Sequence, residues 1–98
     1  MSSQYIGTGR LGATLATSFS SSASGTTTAG FNTGVRKARV VVTADSYIKI
    51  SSAGTAATTA DAYLPGLAAE YFTVSPGEKV SAIQVSSGGA YMNVTEIV

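Results

Sequence analysis

The chain has 98 residues, room for a single domain, and contains no cysteine and no histidine. Those two absences exclude disulfide reinforcement, the ordinary zinc sites and a catalytic triad built on histidine. Lys and Arg number 6 and Asp and Glu 5, giving a charged fraction of 11% and a net charge of +1, against roughly 25% charged in an ordinary soluble domain. A skin this neutral suits a surface that faces other protein, because charge is depleted where proteins meet.

Residues 1–34 are dominated by Ser, Thr, Gly and Ala and carry one charge, Arg10. MSSQYIGTGR has no apolar run of the kind a secretory signal needs, so synthesis and first action in a cytoplasm are expected. Gly7-Thr8-Gly9-Arg10-Leu11-Gly12 matches G-x-G-x-x-G. A dinucleotide site also needs a buried strand before the glycines, a helix after them and an acid about 20 residues on. Here the chain has six residues before Gly7, and the acid position falls near Gly30 and Phe31. Tyr5, Ile6, Leu11, Leu15, Phe19 and Phe31 are too sparse to form a core of their own. The expectation is an extended arm whose backbone and whose six large apolar side chains are held by a neighbouring subunit. Such an arm is mobile in the isolated protein, and its deletion leaves the rest folded. Leu11, Leu15 and Phe19 also fit the i, i+4, i+8 spacing of a short helix, which the surrounding Thr and Ser oppose.

From Val35 the pattern changes to short alternating strands, so residues 35–98 are expected to form the folded domain. Arg39–Thr43 and Tyr47–Ile50 flank the turn signal Ala44-Asp45-Ser46 and predict a β-hairpin. Ser51–Ala62 is a small-residue loop, and Ala62-Tyr63-Leu64 a short strand stopped by Pro65-Gly66. Glu70–Val74 predicts a strand, Ser75-Pro76-Gly77-Glu78 a type II turn, and Lys79–Val85 the return strand. Ser86-Ser87-Gly88-Gly89 marks another tight turn before a last strand over Ala90–Ile97. Turn signals every 8–12 residues predict an all-β fold, a small antiparallel sandwich or barrel with at least five strands in this region. Val40, Val42, Ile48, Ile50, Phe72, Val74, Ile83, Met92 and Val94 are the predicted core. Phe72 is expected to be costly to truncate.

Chemistry-bearing residues do not gather. Serines are plentiful, and only Lys37, Lys49 and Lys79 would be available as a base in a Ser-Lys arrangement. Asp45, Asp61, Glu70, Glu78 and Glu96 are scattered, which supports neither a carboxylate-pair hydrolase nor a calcium site. No catalytic, cofactor-binding or metal-binding residue is assigned, and the expectation is a protein that is no enzyme. Arg36, Lys37 and Arg39 form the one charge cluster. Three cations without interleaved aromatic residues on a near-neutral chain argue against nucleic acid and for a guarded edge strand or an ion-paired interface. The apolar runs are far too short to span a bilayer as a helix.

Val40–Ile50, then Tyr63-Leu64-Pro65-Gly66, then Glu70–Val80 and the closing Gly88–Glu96 resemble small structural proteins encoded among the head genes of tailed bacteriophages. The likeness covers residues 38–98. It implies a virion component on the capsid surface: a decoration or cement protein that binds major capsid protein and copies of itself and bridges shell subunits. A connector or collar piece is the variant of that reading. The alternative from another class is a sandwich that displays Tyr47, Tyr63, Tyr71 and Tyr91 to a carbohydrate or receptor. What separates the two is whether the four rings gather in one open groove.

Overall fold

The computed structural model describes residues 10–86 and 88–98. It contains β1 (Leu11–Ser20), β2 (Gly25–Thr26), β3 (Lys37–Val42), β4 (Ser46–Ser51), β5 (Ala62–Leu64), β6 (Glu70–Thr73), β7 (Lys79–Gln84) and β8 (Gly89–Ile97). No helix occurs among the described residues. Two four-stranded antiparallel sheets pack together, the first in the order β1-β8-β3-β6 and the second in the order β2-β7-β4-β5. The all-β sandwich is therefore as expected, and six of its strands lie beyond residue 34.

The core follows from period-two alternation. Ala38, Val40 and Val42 on β3 and Ala90, Met92 and Val94 on β8 point into the sandwich. Val80 and Ala82 on β7, Ile48 on β4 and Leu64 on β5 meet them from the second sheet. Ile50 and Phe72 are half-buried and pack against this cluster. Ile83 departs from its expected place. Ile50 pairs with Val80 and Ile48 with Ala82, which fixes the register of β7 and turns Ile83 to the outer face opposite Tyr47.

The expected hairpins are absent. β3 lies in the first sheet and β4 in the second, and the same holds for β6 and β7 and for β7 and β8. The turns between them were legible, but each carries the chain across the sandwich instead of folding a strand back on itself. Gly77 takes φ +86° and the Glu78 amide donates to the Ser75 carbonyl at 3.2 Å, as a type II turn requires. Of the connections, β4–β5 alone joins strands that pair with each other. This order, eight strands in two sheets with nearly every connection crossing between them, is that of a jelly roll.

Residues 11–34 also differ from the expected arm. β1 pairs with β8 from Thr14 to Ser20 and again at Leu11, with a shift of register between them, and β2 pairs with β7. Phe19 and Phe31 are buried in the core cluster and Leu15 packs against it. The Phe31 amide donates to the Glu78 carbonyl (3.0 Å), and the Gly77 amide donates to the Phe31 carbonyl (2.8 Å). The segment is poor in apolar residues, yet the few it has sit at the inward registers of a strand, where the other sheet supplies the rest of the core.

Candidate interaction surface

The crossing order places four connections at one end of the sandwich: residues 21–24, 43–45 and 65–69, and the link from β7 to β8. This upper end is tied together by backbone. The Gly66 amide donates to Asp45 Oδ1 at 2.8 Å, the Val85 amide to the Asp45 carbonyl at 3.0 Å and the Leu67 amide to the Val42 carbonyl at 2.8 Å. The Gly66 amide and the Tyr63 hydroxyl hold the Asp45 carboxyl below its ordinary pKa, and the same carboxylate pushes the Tyr63 hydroxyl up.

On this frame stand the apolar side chains that the fold leaves outside. Leu67 has φ +62° and is 80% exposed. A left-handed backbone is unfavourable for leucine, and the surrounding hydrogen bonds hold it there. Tyr63, Val85 and Tyr91 are exposed at the same end. An open groove of about 490 Å³ lies between Ser18, Phe19 and Ser20 of β1, Ala23 and Ser24 of the following turn, and Tyr91.

The four tyrosines do not share a groove. Tyr47 pairs with Tyr63 on the outer face of the second sheet, their rings edge to face with centroids 5.9 Å apart. Tyr71 pairs with Arg39, and Tyr91 neighbours the inward Met92, so both lie on the outer face of the first sheet. The cationic cluster sits elsewhere than predicted. Lys37 and Arg39 are on β3, an interior strand between β8 and β6, so they guard no edge. Among the described residues the ion pair present is Lys49–Asp61 at 3.7 Å on the second sheet.

Asp45, Asp61, Glu78 and Glu96 each accept from a backbone amide. Asp61 accepts from the Thr58 amide at 2.7 Å, which lowers its pKa, with Lys49 adding to the effect. Glu78 accepts from the Ser75 amide at 2.7 Å. Glu96, 2% exposed, accepts from both the amide and the side chain of Asn32, at 2.9 and 3.1 Å. Among the described residues no three acids gather as an ion site would need. Gly12, last of the G-x-G-x-x-G match, lies in strand β1 beside Glu96, where no helix follows.

Of the proposed partner anchors, Tyr5 and Ile6 lie outside the described residues. Phe19, Phe31 and most of Leu15 are taken up by the protein's own interior, and Leu11 is 73% exposed. The upper-end residues were missed because their exposure depends on which strands share an end, and that is fixed by pairings between distant segments. No known protein family, curated protein or solved structure matches the chain.

Proposed function

We propose that this protein is a non-enzymatic structural component of a virion: a capsid decoration or cement protein of a tailed bacteriophage, bound to major capsid protein and to copies of itself. The observation that carries the reading is the jelly-roll strand order in a chain with 11% charged residues. That fold recurs in viral capsid and lectin domains. The argument from it is one of fold analogy, and the resemblance of residues 38–98 to phage head proteins points the same way. A rigid sandwich with a neutral skin suits a clamp across a shell under internal pressure. The exposed Leu67, Val85 and Tyr91 at the upper end are the contact residues that this reading assigns.

The carbohydrate- or receptor-binding alternative loses support from the split of the tyrosines between opposite faces. A connector or collar position uses the same contact chemistry and differs only in where the protein sits. Particles from a phage carrying this gene, compared with particles from its deletion, test the reading. Expected are the protein in purified heads by mass spectrometry, added density on the shell by electron microscopy, and earlier loss of DNA on heating in the deletion. A Leu67→Ser/Tyr91→Ala protein should fold normally and rebind deletion particles at least tenfold more weakly. Absence from purified particles overturns the proposal.

A further inference from the structure

The sandwich has four edge strands, and they are unequal. β2 has 2 residues, β5 has 3 and β6 has 4, with Glu70 on it. β1 has 10, LGATLATSFS, without a charge or a proline. Long edges are normally protected by cations, proline or cover, because their free amides and carbonyls accept another strand. Among the described residues no strand pairs with the outer edge of β1. Gly25 of β2 tucks in against the Ser18 carbonyl, so the open stretch runs from Leu11 to Thr17, with an irregularity between Leu11 and Thr14 and regular strand from Thr14 on.

We infer that this edge is the contact between two copies of the chain, β1 pairing antiparallel with β1 of the second copy about a two-fold axis near the middle of the open stretch. Two features select a second copy as the occupant. An uncharged strand opposed to itself brings no like charges together. A two-fold contact is self-complementary, so whatever one end of the strand offers must fit the other. The two ends of β1 do fit: the exposed Leu11 stands at its start, and the open groove beside Ser18, Phe19 and Ser20 lies at its finish. Antiparallel pairing carries each Leu11 toward the partner's groove.

The pair is closed. It joins the two first sheets into one of eight strands whose remaining edges are both β6, short and carrying Glu70, so growth stops at two. The two upper ends then point in opposite directions, and a dimer presents two contact surfaces, as a bridge between neighbouring subunits needs. The inference stands on the edge itself and holds whether or not the larger assembly is a virion.

Sedimentation of the full chain over a range of concentrations is expected to give a dimer. Thr14→Lys/Ala16→Lys places cations on two exposed positions of the edge and should weaken the dimer at least tenfold while leaving the monomer folded. Thr14→Glu/Ala16→Glu should do the same, and mixing the two variants should restore a mixed dimer. Leu11→Ser, at a position without a role in the core, should weaken association several-fold. A wild-type chain that stays monomeric at millimolar concentration, a trimer or an open polymer, or a Lys variant that dimerises as the wild type does, overturns the inference.

Discussion

Two residues show how closely local identity is tied to this fold. A Cβ added at Gly25 would stand 2.2 Å from the Ser18 carbonyl oxygen, and that oxygen belongs to backbone already paired in β1. The neighbour cannot yield cheaply, so Gly25→Ala should destabilise the protein by about 1–3 kcal/mol. A urea midpoint equal to wild type would show that β1 and β2 can separate without cost. Glu96 presents the complementary case. Its carboxylate is buried and depends on two donors from Asn32, on the long connection between β2 and β3. Asn32→Ala keeps the backbone donor but removes the amide, leaving part of a buried carboxylate without a partner. The expected loss is about 2–3 kcal/mol. A double-variant cycle with Glu96→Gln should show most of that loss to be coupled between the two positions.

At the level of elements, the loops hold themselves with carboxylates, and this gives stability a pH dependence. Asp45 accepts from the Gly66 amide and Asp61 from the Thr58 amide, and both carboxyls are shifted below their ordinary value for those reasons first. Each therefore binds a proton less readily folded than unfolded. Their contribution is present above the ordinary aspartate pKa, about 4, and is lost as pH falls through the lowered folded values. Thermal midpoints measured down to acid pH should fall less steeply for Asp45→Asn/Asp61→Asn than for wild type; parallel curves would show that the two carboxylates do not matter.

The strands themselves were largely legible in sequence. Val40, Val42, Met92 and Val94 alternate as buried positions, and Pro76-Gly77 marks its turn. Pairing was not legible. Ala44-Asp45-Ser46 has the composition of a hairpin turn, yet the Ser46 hydroxyl donates to the Ala44 carbonyl at 2.7 Å as the chain passes from one sheet to the other. Turn chemistry fixes a change of direction, whereas the choice of partner strand rests on contacts between distant segments. The same limit explains residues 11–34: Phe19 and Phe31 look isolated along the chain because their backbone partners, Ala90 for Phe19 and Gly77 and Glu78 for Phe31, lie more than forty positions away. It also explains the upper end, since the placing of Leu67, Val85 and Tyr91 at one end of the sandwich follows only once the crossing order is known.

For the whole molecule, the decisive pairing joins the two ends of the described chain. β1 pairs with β8, and the Arg10 and Val98 backbones exchange hydrogen bonds, 2.8 Å from the Arg10 amide and 2.7 Å from the Val98 amide. The first sheet is thus incomplete until residues 11–20 meet 89–97. Removing residues 1–34 would strip β1 from β8, strip β2 from β7, and take Phe19 and Phe31 out of the core. Truncating one buried phenylalanine to alanine costs about 3–5 kcal/mol. A domain of this size is held by about 5–15 kcal/mol in all, so losing two together with an edge strand exceeds or exhausts that margin. The chain beginning at Val35 should therefore be unfolded, with no cooperative melting transition and poor dispersion of its amide proton resonances. Single variants calibrate the result. Phe31→Ala, fully enclosed, should cost about 3–5 kcal/mol, and Phe72→Ala, half-buried on an edge strand, distinctly less. If residues 35–98 alone melt cooperatively near the wild-type temperature, then β1, β2 and their two aromatic side chains are an accessory to a domain complete without them.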